Sequence, residues 1–251
     1  MPTRRRLGLI GGTGLDNFGN AARLHEISTT FGQPSASLAE YGIGDLQVFF
    51  LPRHGNQHQI PPHAVNYQAN IDAFRQLEVE GIVAVNAVGG ISSGYPPGVL
   101  SIPDQLIDYT WGRAHTFSLD AGDELQHVEF SRPFEGDLRS GLIRAAADAG
   151  ISVLDGGCIG VAQGPRLETA AEVRRLQNDG CDMVGMTTMP EAALAREAGL
   201  EYASLCINAN WAAGLDNTPV TMEAIDATLR EAMVRVRKLL GTFFEEISNA
   251  G

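Results

Sequence analysis

The stretch "IVAVNAV", residues 82–88, is apolar at every position but one, and no alternation divides it into a wet face and a dry one. A strand of that kind is covered on both sides, as parallel strands with helical crossovers are. The run "YASLCI" (202–207) has the same character, and "LGLI" (7–10), "LQVFFL" (46–51) and "MVGM" (183–186) are further apolar runs of strand length. Helical periodicity fills the gaps between them. In 66–80, Tyr67, Ile71, Phe74 and Leu77 share one face, with Gly81 at the expected C-cap position. The segments 137–150 and 168–180 also end in glycine, and 190–199 opens with Pro190 at a first helical position before its own terminal glycine. In 221–247, Ile225, Leu229, Met233, Val236, Leu240, Phe243 and Ile247 recur every three or four residues, a core-packing stripe. Strands alternating with helices predict a three-layer α/β/α sandwich around a mixed, mostly parallel central sheet. No linker or repeat interrupts residues 1–251, which are expected to form a single domain.

Composition narrows the function. Of 251 residues, 44% are hydrophobic and 19% charged, enough for a substantial core. The net charge of −12 disfavours nucleic acid and anionic membrane surfaces as partners, so any anionic ligand needs a local basic pocket. Cys158, Cys181 and Cys206 form no CxxC pair, which argues against a disulfide framework or zinc site and for a reducing, cytoplasmic setting. The apolar run after "MPTRRR" is too short for a signal peptide, and no run approaches a membrane span.

Chemistry is concentrated where the predicted strands end. "LIGGTGL" (9–15) is a strand entering Gly11-Gly12-Thr13-Gly14, a turn whose bared N–H groups and Thr13 hydroxyl suit a phosphate, or simply a tight structural turn. It is not a dinucleotide fingerprint, because Asn17 occupies the third glycine position, and the Gly-Lys-Ser/Thr of a P-loop is missing. "PRHGNQHQIPPH" (52–63) presents Arg53 as a fixed fork and His54 as a switchable donor, an anion site or a surface loop. His54, His58 and His63 raise the question of a metal, but there is no H-E-x-x-H helix and Arg53 repels a cation, so no metal is expected. "VNAVGG" (85–90) leaves room for a ligand against the backbone of Ala87, and "GMTT" (185–188) offers Thr187 and Met186. "SLCINANWAAG" (204–214) ends in two amides, Asn208 and Asn210, that either make turn hydrogen bonds or await a ligand. Ligands in open α/β sheets gather outside the carboxyl ends of strands, and these segments agree in that position.

The series "IGGTGL", "PRHGNQH", "NYQANI", "VNAVGG", "IPDQLIDYT", "GPRLET", "AAEVRRL" and "VGMTTMPEAALAREAGLEYAS" resembles the trimeric purine nucleoside phosphorylases, nearly end to end and in the same order. Within them it is most similar to the methylthionucleoside branch. The resemblance implies the nucleoside phosphorylase fold and a reversible phosphorolysis of a purine nucleoside, with inorganic phosphate as co-substrate and no metal or organic cofactor. It places phosphate on Thr13, Arg53, His54, Asn86, Ala87 and Thr187. It places the nucleoside on Met186, His58, Glu168, Asn210, Trp211 and Ala212, with Asn210 and His54 in catalytic roles. It also implies a homotrimer in which His127 reaches a neighbour's 5′ pocket.

Two departures from the adenosine-type pattern decide the expected substrate. Asn210 and Ala212 stand where those enzymes usually carry acids, and Glu168 stands where they tend to have serine. A 6-oxopurine offers acceptors at N7 and O6 and a donor at N1–H, which an amide and an ionised carboxylate can pair, whereas adenine N1 faces Glu168 lone pair to lone pair. Asn208 is left with a strand-end hydrogen bond. At the sugar end Met222 occupies the place of the histidine that binds a 5′-hydroxyl in general inosine/guanosine phosphorylases, and a thioether side chain suits sulfur and methyl groups. Glu168, Asn210 and Met222 together imply 5′-methylthioinosine. An inosine/guanosine phosphorylase, a methylthioadenosine phosphorylase and a non-catalytic nucleoside-binding module are the alternatives.

Overall fold

The structure is a computed structural model describing residues 5–118, 126–216 and 219–249. In chain order its strands and helices are β1 (Arg5–Gly11), β2 (Arg23–His25), β3 (Leu38–Ile43), β4 (Leu46–Pro52), α1 (Tyr67–Gln76), β5 (Gly81–Gly90), β6 (Leu100–Ile102), β7 (Gln105–Asp108), α2 (Asp137–Asp148), β8 (Leu154–Asp155), β9 (Cys158–Val161), α3 (Ala170–Asn178), β10 (Met183–Gly185), α4 (Thr188–Glu197), β11 (Glu201–Trp211) and α5 (Met222–Asn249). The strands join in one mixed sheet with β5 at its centre. Strand β5 lies parallel to β1 and β11 but antiparallel to β10, while β10–β9, β9–β7 and β1–β4 are parallel. Leu142, Ala145, Leu229, Val236 and Phe243 of α2 and α5 pack on one face with Leu9 and Leu205. Ile71, Phe74, Leu194 and Ala195 of α1 and α4 cover the other with Ile82 and Cys206. The three layers are those the sequence predicts, and the double covering explains why β5 and β11 are continuously apolar.

Local chemistry sets the ends of these elements. Gly150, Gly180 and Gly199 follow α2, α3 and α4 with left-handed φ values of 67°, 90° and 73°, so three of the four predicted glycine stops hold. Gly81 does not cap a helix: α1 stops at Gln76 with Leu77 as C-cap, and Gly81 is the first residue of β5. A Cβ there would lie 2.7 Å from Leu138 and 2.9 Å from the Glu201 carbonyl, so close packing rather than turn geometry excludes a side chain. Helix α3 starts later than predicted because Thr169 and Glu172 form a reciprocal capping box. That stop leaves Glu168 outside the helix. Met189 is non-helical inside α4, so Pro190 opens the regular helix as expected.

The pairing along β5 makes the site. On one edge β1 pairs as far as Ala84, and β10 arrives from the opposite direction to pair with Gly89 and Gly90. Val85 to Val88 are therefore bordered by neither strand on that edge, although β11 continues beside them on the other. The Val85 carbonyl faces the gap, where it accepts from Arg53, so alternation along the strand turns the Ala87 backbone to the same edge. The reactive groups thus gather at a break within the sheet, and only some lie beyond strand ends.

Candidate active site

A cavity of about 360 Å³ opens over this break. It is lined by Thr13, Arg53, His54, His58, Ala87, Glu168, Met186, Thr187, Asn210, Ala212 and Met222, all of them predicted site residues. Asn86 and Trp211 are not on its wall. Asn86 lies buried behind, accepting at Oδ1 from the Thr187 hydroxyl (3.0 Å) and donating from Nδ2 to Ser204 Oγ (2.8 Å). Trp211 contributes its main-chain oxygen, which accepts from Asn210 Nδ2 at 2.7 Å. His127 is exposed and outside the cavity. Asn208 is fully buried and bonded through Nδ2 to the Val99 carbonyl at 3.2 Å, a structural role as expected.

At one end of the cavity the turn after β1 packs onto Arg53. A Cβ on Gly12 would stand 2.5 Å from the Val85 carbonyl and 2.8 Å from Arg53 Nη1, so this position has no room for a side chain. Arg53, 1% exposed, donates from Nε and Nη2 to Glu191 at 2.7 and 2.8 Å and from Nη1 to the Val85 carbonyl at 3.2 Å. Burial works against its charge, but the attraction of Glu191 outweighs that cost and raises its pKa. Of five guanidinium N–H groups, two remain for a ligand. Glu191 belongs to "GMTTMPEAALAREAG", yet by sequence it reads as an acid in the first turn of a helix, and its pairing with Arg53 went unpredicted.

His54 departs from the switchable donor predicted for it. Its Nδ1 lies 2.8 Å from the Ile60 carbonyl, which can only accept, so Nδ1 carries the proton and Nε2 is left as a lone pair. Burial, then the neighbouring Arg53 charge, push its pKa down to about 4, and the ring is neutral near pH 7. The His58 ring lies beside it, tilted by 45° with the centroids 4.7 Å apart; His58 takes a left-handed φ of 53° and lies 3.4 Å from Thr13 Oγ1 and 3.7 Å from Asp16. His63 is exposed and off the cavity wall.

The far end carries Glu168 and Asn210. Burial raises the Glu168 carboxyl pKa, with Glu172 adding to the rise and Arg166 opposing it. Asn210 cannot give both amide protons to a ligand, because one is held by the Trp211 carbonyl; it offers one N–H and its Oδ1. Met222, 59% exposed, and Ile225 close the side nearest α5, where a second groove begins with Leu229 and Met233.

Arg113 ties the two ends together. It donates to the carbonyls of Met186 (2.8 Å), Met189 (2.6 Å) and Gln163 (2.8 Å), holding the Thr187 turn against the loop that leads to Glu168. Arg113→Met strips these carbonyls of their donors, and a loss of about 3 kcal/mol is expected. A urea melt that matches the wild type would refute it.

The sequence matches the Phosphorylase superfamily over residues 6–245. It is 49% identical over 238 residues to a protein of Xanthomonas campestris pv. campestris described as a probable S-methyl-5′-thioinosine phosphorylase, covering 94% of this chain and 95% of that one. A protein of Xylella fastidiosa with the same description is 48% identical, with 96% and 98% covered. Among solved structures, methylthioadenosine phosphorylase from Schistosoma mansoni in complex with adenine superposes with a TM-score of 0.93 at 33% identity, covering 98% of this chain and 93% of that one.

Proposed function

The chain belongs to the phosphorylase superfamily, and from that membership we propose that it acts, as one phosphorylase domain, on S-methyl-5′-thioinosine. Phosphate and the nucleoside give hypoxanthine and 5-methylthioribose 1-phosphate. The observation that carries the reading is that one cavity holds Arg53, Glu168, Asn210 and Met222 together. A general oxopurine enzyme has no need of a methionine at the sugar end, and an adenosine enzyme has no need of Glu168.

In this reading phosphate sits over the gap in β5. Arg53 supplies two N–H groups, the Gly12–Thr13 turn and Ala87 supply backbone donors, and the neutral His54 accepts a hydrogen bond from the phosphate hydroxyl at Nε2. A phosphate oxygen then forms a bond to C1′ as the bond from C1′ to N9 breaks, the electron pair leaves with the purine, and the purine takes up from water the proton that the phosphate gives up to it, leaving hypoxanthine. The free Asn210 N–H meets the charge that develops at N7, and Glu168 accepts from N1–H. Met186 packs against the sugar, and the methylthio group points toward Met222 and Ile225. The residues named require no metal or organic cofactor. We extend the reading to a cytoplasmic homotrimer in which His127, exposed on its own chain, serves a neighbouring site; sedimentation reads the assembly. Among the described residues no helix is long and apolar enough to cross a membrane.

Phosphorolysis of methylthioinosine, inosine and methylthioadenosine, with and without phosphate, tests the assignment. Methylthioinosine should lead, with turnover strictly dependent on phosphate; a lead for methylthioadenosine would overturn the base reading. In the same assay Met222→His should shift the balance of kcat/KM toward inosine by about tenfold, since a polar contact replaces an apolar one at the 5′ group. An unchanged ratio would remove Met222 from the pocket.

A further inference from the structure

We propose that Glu191 is a positioning residue for the phosphate, setting the plane of Arg53 so that its two free N–H groups face the cavity, with Tyr202 holding Glu191 in turn. The inference rests on the proposed function. Its grounds are geometric. The carboxylate takes Nε and Nη2 side-on, at 2.7 and 2.8 Å, a two-point grip that leaves the guanidinium no rotation about its own axis. The Val85 carbonyl takes a third N–H, so the two that remain are one on each Nη.

Glu191 is itself fixed. It is 0% exposed, and the Tyr202 hydroxyl donates to its Oε1 at 2.8 Å. Three elements meet in this pair: Arg53 follows β4, Glu191 lies on α4 four residues after Thr187, and Tyr202 is on β11, the strand that carries Asn210. A second buried relay, Thr187 to Asn86 to Ser204, runs from the same turn to the same strand. The Arg53–Glu191 pair is close to electrically neutral and His54 is uncharged, so the site attracts phosphate by aimed donors more than by net charge. Aim is what Glu191 supplies.

The test first uses the wild-type chain, whose phosphate-dependent turnover stands or falls independently of Glu191. Glu191→Gln, Glu191→Asp and Tyr202→Phe are then compared for KM of phosphate, KM of nucleoside and melting temperature. The expected result is a phosphate KM raised on the order of tenfold to a hundredfold in Glu191→Gln, with the nucleoside KM within about twofold of wild type. Glu191→Asp keeps the charge but withdraws the grip, and it should also raise the phosphate KM. Tyr202→Phe removes only the hydroxyl and should shift the same constant by a smaller factor, which keeps the proposal testable if the Glu191 variants do not fold. A lower melting temperature with an unchanged phosphate KM would make Glu191 a purely structural residue. A phosphate KM that falls, or Glu191→Asp behaving as wild type, would mean that charge rather than aim is its contribution. Either outcome overturns the proposal.

Discussion

Arg53→Met is expected to lower kcat/KM for phosphorolysis by at least ~10³, because it deletes two aimed donors at a site where single donors of this kind are worth about 10²–10³. The side chain is 1% exposed, so water cannot take over its place without rearrangement. The same change strands Glu191, a fully buried carboxylate that then keeps, among the described residues, only the Tyr202 hydroxyl as a side-chain partner. Breaking a buried pair from one side costs about 3–5 kcal/mol, so stability and activity should fall together. Arg53→Lys separates the two effects. An ammonium neutralises Glu191 but has no planar fork, so stability should largely return while phosphate use stays impaired by about 10². Urea melts beside phosphate titrations read both quantities. A lysine variant with near wild-type phosphate use would show that the site needs a positive charge there and not a guanidinium.

The way Arg53 is held marks the boundary of what the sequence could show. Arg53, Thr13, Ala87 and Thr187 were legible because each follows or ends an apolar run, and small or polar residues at such places expose backbone and hydroxyls. Helix ends were legible for the same local reason, at Gly150, Gly180 and Gly199. Glu191 was not, since its partner is 138 residues away and a glutamate in a first helical turn needs no other explanation. The direction of β10 was equally hidden. Three residues, Met183 to Gly185, look alike read either way, and only the path of the chain makes them antiparallel to β5. The short strands β6 to β9 carry no period long enough to register. Gly81 misled because a glycine after a helical run usually caps it, whereas here tight packing against Leu138 demanded one. The tautomer of His54 depends on the Ile60 carbonyl, whose position follows from the turn around Gly55 and from no motif.

Glu168 is where sequence and structure together yield the largest change of specificity. Glu168→Ser combined with Asn210→Asp is expected to move the ratio of kcat/KM for methylthioadenosine over methylthioinosine by about 10²–10⁴, the range open to a site that pairs or strands buried polar groups. The structure apportions the effect. Asn210 offers one N–H and one acceptor, so either base can find a partner there; the Oδ1 can take the 6-amino group of adenine as readily as the N–H can serve N7. The carboxylate at 168 has no such ambiguity while ionised, so Glu168→Ser alone should give the greater part of the shift. An independent handle comes from its pKa. Burial raises it, and the charged form is lost as pH falls through that raised value, converting an acceptor into a donor that adenine N1 can accept from. In the unmodified chain the methylthioadenosine share should therefore grow as pH is lowered, and Glu168→Gln, which does not titrate, should flatten the dependence. If the wild-type ratio is flat and the double variant gains nothing on the 6-aminopurine, Glu168 does not read the base, and the preference must come from the shape of the cavity around Ala212 and Leu167.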